Sequence, residues 1–122
     1  MPMRCLIVDD NASFLEAARV LLEREGMSVV GVATTGAEAL SQVAALRPEV
    51  VLADLFLGDE SGLEVVRQLA DEGLDGMTVI LISTHSKADL GGLIDGSAAT
   101  GFLPKAELSA EAIRRMVDGR AA

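Results

Sequence analysis

Aromatic side chains are almost absent from this sequence, which has three Phe, no Trp and no Tyr. Its core must therefore be built from Val, Leu, Ile and Ala, the composition of buried sheets in α/β proteins. Cysteine is nearly absent too. The one thiol, Cys5, cannot form an internal disulfide, which fits a reducing, cytoplasmic setting. It sits in a short apolar run and reads as a small core residue, not a nucleophile. Long apolar runs are missing. None approaches the ~18 residues of a membrane span, and the stretch after Met1-Pro2-Met3-Arg4 is cut off by Asp9-Asp10 before it could serve as a signal peptide. Positive charge is scarce, with 10 Lys and Arg against 19 Asp and Glu and a formal net charge of −9. That balance argues against direct binding to nucleic acid or to an anionic membrane, both of which favour a basic face.

What is present is a repeating pattern. The 122 residues are half apolar, enough for one domain over 1–122 that buries about two-thirds of its unfolded surface. Short apolar runs, Cys5–Val8, Val29–Ala33, Val50–Ala53, Val79–Ile82 and Thr100–Leu103, alternate with helical patterns. Continuous rather than alternating apolar runs predict strands covered on both faces. Ser13-x-x-Glu16, Thr35-x-x-Glu38 and Ser61-x-x-Glu64 each match a capping box at a helix start. The apolar faces that follow are Phe14, Ala18, Leu21 and Leu22, then Leu40, Val43 and Ala44, then Leu63, Val66, Leu69 and Ala70, and finally Ile113, Met116 and Val117. A fourth helix capped by Ser86-Lys87-Ala88-Asp89 is expected to be short, because Gly91, Gly92 and Gly96 fall in or near it. The fold class is α/β, a (βα)5 three-layer sandwich with right-handed crossovers. A flavodoxin-like parallel order 2-1-3-4-5 puts a crevice at the carboxyl ends of strands 1 and 3.

Strand 1 ends in Asp9-Asp10-Asn11 and strand 3 in Asp54, so three carboxylates should converge there. Like charges a few ångströms apart disfavour one another, and a pocket that keeps them ionised needs a cation. Oxygen ligands with no His or Cys beside them suit a hard ion, Mg²⁺ above all. Strand 4 delivers Ser83 to the same edge, and Lys105 follows strand 5. A metal, a hydroxyl, a fixed positive charge and a carboxylate suit phosphoryl transfer, in which positioning and charge neutralisation dominate. A carboxylate is itself a nucleophile for phosphorus. Any one of these residues alone would be read as a turn, a cap or a solvated group; their joint placement at the ends of the right strands carries the argument.

Taken together, Leu6-Ile7-Val8-Asp9-Asp10-Asn11, Val51-Leu52-Ala53-Asp54-Leu55, Gly62-Leu63-Glu64, Val79-Ile80-Leu81-Ile82-Ser83 and Gly101-Phe102-Leu103-Pro104-Lys105 resemble the receiver domain of two-component response regulators. The resemblance implies that Asp54 is the phosphoacceptor, served by a sensor histidine kinase or phosphotransfer protein. It implies that Asp10 binds Mg²⁺ directly, that Asp9 does so mainly through water, and that the Phe56 backbone carbonyl completes the protein ligands along with Asp54. Lys105 would pair with the phosphoryl oxygens, Ser83 would turn to the phosphate, and Phe102 would rotate into the space so opened. The face of helix 4, strand 5 and helix 5 would then act on an output domain or partner, with a homodimer left open. Ala106-Glu107-Leu108-Ser109 resembles regulators that carry a helix-turn-helix output.

Some positions depart from that pattern. Gly58 stands where Pro is common, which suggests a looser loop. Lys105 is followed by Ala106 and not by Pro, so a cis bond after it is not assumed. Phe56 is bulky beside the acceptor, which suggests slow loss of the phosphoryl group. The one histidine, His85, lies two residues after Ser83 and reads as an exposed loop residue. Three further readings stay open: a receiver that does not use phosphate, an aspartate-nucleophile phosphatase, and a nucleotide or flavin module. The phosphatase reading lacks an acid at Phe56, and the nucleotide reading lacks both glycine-rich phosphate motifs.

Overall fold

The computed structural model describes residues 2–72, 76–85, 92 and 99–121. Five strands, β1 (Arg4–Val8), β2 (Ser28–Ala33), β3 (Val50–Asp54), β4 (Thr78–Ser83) and β5 (Gly101–Pro104), form one sheet in the order β2-β1-β3-β4-β5. Every neighbouring pair is parallel. The flavodoxin-like α/β expectation therefore holds, and each strand lies within a residue or two of its apolar run.

Alternation across the pleat explains why those runs are continuous. In β1, Leu6 and Val8 join one core layer and Cys5 and Ile7 the other. The first layer carries Ala39 and Val43 from α2 (Gly36–Leu46) and Val65, Val66 and Leu69 from α3 (Gly62–Asp71). The second carries Leu15, Ala18 and Leu22 from α1 (Ala12–Arg24) and Ile113 from the C-terminal helix (Ala110–Ala121). Each fully buried Leu, Ile or Val contributes about 1.5–3 kcal/mol of transfer free energy. Burial also pushes the Cys5 thiol up to about 12, so it is inert at neutral pH, as a small core residue should be. Ala44 and Ala70, expected on buried faces, are exposed.

The helix starts differ in detail from the capping boxes. Asn11, not Ser13, caps α1: its side chain accepts from the Phe14 N–H at 3.0 Å, and Ser13 lies inside the helix. Thr35 caps α2 as expected, accepting from the Glu38 N–H at 3.1 Å. The Glu38 carboxylate reaches back one residue further, to the N–H and hydroxyl of Thr34, which lowers its pKa. Ser61 occupies the cap position of α3 but makes no side-chain cap bond, and Glu64, which would complete the box, pairs with Arg67. Chain reversal after α1 uses Gly26 at φ 95°, and α2 ends on Arg47 in the left-handed region just before Pro48. The expected fourth helix lies outside the described residues, Gly92 excepted.

Sequence reading missed a small hairpin. Phe56–Leu57 pairs antiparallel with Glu60–Ser61 around a turn at Gly58. Gly58 has φ 57°, which a proline ring held near −65° cannot adopt. The residue that suggested a loose loop thus makes a paired turn. The hairpin is fastened to its surroundings by Gly62 N–H to the Leu55 carbonyl at 2.8 Å, and by the Glu60 carboxylate on the Gly36 N–H at 3.1 and 3.2 Å.

Candidate functional site

Register sets the site. Val8 lies opposite Ala53 across β1 and β3, so the next residues, Asp9 and Asp54, emerge side by side at the carboxyl edge. Asp54 is in turn opposite Ile82, which puts Ser83 one step beyond it, and Ser83 is opposite Pro104, which puts Lys105 at the same edge. Carboxylate oxygens of Asp9, Asp10 and Asp54 all lie within 4.8 Å of one another. Asp9 is fully buried, Asp54 is 7% exposed, and Asp10 faces solvent.

Lys105 enters this cluster. Its Nζ is 2.6 Å from Asp9 Oδ2 and 3.3 Å from Asp54 Oδ2. The Asp9 contact is a close ion pair without hydrogen-bond alignment, so Asp9 Oδ2 accepts no well-directed bond. Its other oxygen, Oδ1, accepts from the Asn11 N–H at 2.8 Å. Lys105 begins a 3₁₀ turn, Lys105–Glu107, closed by the Leu108 N–H on the Lys105 carbonyl. No peptide bond among the described residues is cis, so the ammonium reaches the site with a trans bond to Ala106.

The electrostatics are unbalanced at Asp54. Burial raises its pKa most, followed by repulsion from Asp9; the Phe56 N–H at 3.3 Å and the Lys105 ammonium oppose this but do not cancel it. One lysine facing two buried carboxylates leaves an excess of negative charge. The donor set is carboxylate oxygen alone, the chemistry that fits a hard divalent ion such as Mg²⁺.

The remaining expected residues are nearby but engaged otherwise. The Ser83 hydroxyl, 1% exposed as a residue, accepts the His85 N–H at 3.1 Å and lies 3.4 Å from His85 Nδ1, with no bond to Asp54. Phe102 is 8% exposed and belongs to the α2–α3 core layer. Phe56 is 50% exposed and meets the His85 ring edge-to-face, with centroids 6.0 Å apart. His85, read as a solvated loop residue, is exposed but touches two residues of the site.

Sequence reading missed two contributors. Phe14, assigned only to a helix face, has its ring centroid 4.2 Å from Lys105 Nζ. Gly62 presses its backbone on the acceptor strand: a Cβ there would lie 2.0 Å from the Asp54 carbonyl oxygen. The Gly62 signal was visible in sequence as a glycine opening a helix, but its partner was not.

Comparison with known proteins gives a consistent picture. The family model of the response regulator receiver domain matches residues 5–118. The chain is 36% identical over 116 residues to the response regulator MprA of Mycolicibacterium vanbaalenii, covering 95% of this chain and 49% of that protein. It is 40% identical over 90 residues to protein-glutamate methylesterase/protein-glutamine glutaminase 5 of Myxococcus xanthus, covering 73% of this chain and 26% of that one. The chain thus spans half or less of these curated relatives. Among solved structures, a two-component response regulator of the LuxR family from Aurantimonas sp. SI85-9A1 superposes with TM-score 0.80 at 28% identity, covering 98% of this chain and 87% of that one. A CheY-like receiver domain protein from Methanospirillum hungatei JF-1 does so with TM-score 0.80 at 25% identity, over 99% and 98% of the two chains.

Proposed function

The chain belongs to the response regulator receiver domain family of two-component signalling, and from that premise we propose that Asp54 accepts a phosphoryl group from a histidine kinase or phosphotransfer protein. The observation that carries this reading is the convergence of the Asp9, Asp10 and Asp54 carboxylates at one sheet edge, with Lys105 paired to Asp9 and Asp54.

In the proposed reaction an Asp54 carboxylate oxygen forms a bond to phosphorus as the donor's P–N bond breaks, and the donor imidazole leaves with the electron pair. Mg²⁺, when bound, would neutralise charge on the phosphoryl oxygens. Asp9, Asp10, Asp54 and the Phe56 carbonyl would hold it. Lys105 would take up a phosphoryl oxygen as Asp54 Oδ2 ceases to be a free anion. Ser83 would leave His85 and donate its hydroxyl proton to another phosphoryl oxygen. Phe102 would then rotate into the space that the Ser83 movement opens. The unit responding is residues 1–122 as one cytoplasmic receiver domain. Its output face would be β5 and the helices beside it, meeting an output domain or partner.

Incubation with acetyl phosphate and Mg²⁺, followed by intact mass, tests the reading. A phosphoryl adduct in the wild type, absent in Asp54→Asn and absent with chelator, is expected. An adduct that survives Asp54→Asn would overturn Asp54 as the acceptor, and none with any donor would favour a phosphate-independent receiver.

A further inference from the structure

Lys105 poses a positioning problem. It follows an edge strand, its side chain is long and flexible, and two buried carboxylates on one side compete for its ammonium. Such a group adopts one position only if something fixes it from another direction. The structure contains that contact. The Phe14 ring lies 4.2 Å from Nζ, within the range where the negative face of an aromatic ring attracts a cation. A ring face offers attraction without a hydrogen-bond acceptor, so it leaves the ammonium protons free for oxygen partners.

Phe14 is itself held by the site it serves. The Asn11 side chain accepts the Phe14 N–H at 3.0 Å, and the Asn11 N–H donates to Asp9 Oδ1 at 2.8 Å. Asp9 Oδ2 then meets Lys105 at 2.6 Å. Asp9, Asn11, Phe14 and Lys105 thus form a closed ring of contacts, with the helix cap of α1 as one side. The ring is partly buried against the core layer that α1 shares with the sheet.

We infer that Phe14 is a positioning residue for the phosphorylation site, holding the Lys105 ammonium over the Asp9–Asp54 pair through its ring face. The catalytic part of this inference rests on the receiver function proposed above; the placement of Lys105 does not.

Two measurements test it. The sequence has only two lysines, Lys87 and Lys105, so carbon-labelled lysine gives two resolvable ε-methylene signals in the protein alone, without donor or metal. The Lys105 signal should be shifted upfield by the Phe14 ring current in the wild type and in Phe14→Tyr, and should return to the ordinary position in Phe14→Leu. In the second, the rate of phosphorylation by acetyl phosphate should fall about three- to tenfold in Phe14→Leu, recover in Phe14→Tyr, and be insensitive to Phe14→Leu when Lys105→Met is already present. Leu keeps an apolar filler, so a purely packing role predicts no loss and no rescue by Tyr. An unshifted Lys105 signal in the wild type, or a Phe14→Leu rate equal to wild type, would overturn the inference. Wild type that takes no phosphoryl group would overturn the receiver reading instead, with the lysine signal still deciding whether Phe14 holds Lys105.

Discussion

The middle of the sheet and its carboxyl edge are equally buried and chemically opposite. Leu6, Ile7, Val51, Leu52, Ile80 and Leu81 are fully enclosed, and so, a residue or two further along the same strands, are Asp9, Asp54 and Ser83, at 0%, 7% and 1% exposure. In the middle, burial and favourable transfer free energy act together. At the edge, burial acts against the carboxylates, as the raised pKa of Asp54 shows. Neighbouring positions on one scaffold thus divide the work: aliphatic residues supply the stability that holds a destabilising acidic cluster in place.

Substitutions at the two regions should therefore differ in sign and in readout. The largest expected effect lies in the middle. Leu52→Ala removes a fully buried side chain from the layer under α1 and should destabilise by about 2–5 kcal/mol, seen as a lower urea midpoint. The folded fraction should still take a phosphoryl group. Next comes Gly62→Ala, where the two regions meet. An Ala would favour the helix by roughly 1 kcal/mol, but its Cβ would lie 2.0 Å from a backbone oxygen of Asp54 that cannot swing aside. Overpacking should win, with a net loss of about 1–3 kcal/mol and slower phosphorylation. Equal stability and an unchanged rate would show that α3 shifts freely against the acceptor strand.

Asp54→Asn should act in the opposite direction. Because the folded-state pKa of Asp54 is raised, the folded protein holds this proton more tightly than the unfolded chain. The stability it contributes is present below the ordinary carboxylate pKa and is lost as pH rises through the folded value. The Asn variant lacks this loss. It should be more stable than the wild type at neutral pH, with the gap closing as pH falls below the ordinary carboxylate range. Urea unfolding at a series of pH values measures it; a gap that stayed constant with pH would mean the Asp54 charge is not the cause.

How far each region could be read in advance follows from the range of its interactions. The apolar runs announced the sheet because every residue of the three central ones, Cys5–Val8, Val50–Ala53 and Val79–Ile82, is buried whichever way it points, while the two edge runs are only partly covered. The three aspartates and Lys105 were legible because strand order and register alone bring them together. Asn11 is hard to read as the cap of α1 because it directly follows the acidic pair and Ser13-x-x-Glu16 offers a competing box two residues on. The Phe56–Ser61 hairpin was missed because two-residue strands carry no periodicity, and its anchor, Glu60 on Gly36, is a contact distant in sequence. Phe14 over Lys105 was hidden for the same reason: a helix-face aromatic looks the same in sequence whether it meets aliphatic core or an ammonium.

The smallest expected effect concerns the boundary between the acidic edge and solvent. Phe56 stands two residues after the acceptor, half exposed, with its ring edge-to-face against His85. Hydrolysis of an aspartyl phosphate needs a water in line with the breaking bond, and a ring pair beside Asp54 takes up space through which that water would arrive. Phe56→Asn should shorten the phosphoryl half-life two- to fivefold, a barrier change below about 1 kcal/mol. Phe56→Leu, which keeps apolar bulk, should stay near wild type. Neither variant should move the urea midpoint much, because a half-exposed side chain contributes little to the core. The decay of radiolabelled phosphoprotein measures the lifetime. An unchanged half-life in Phe56→Asn would mean that water reaches the phosphate by a route the Phe56–His85 pair does not cover, and that the acidic edge, unlike the middle of the sheet, is not closed by its own side chains.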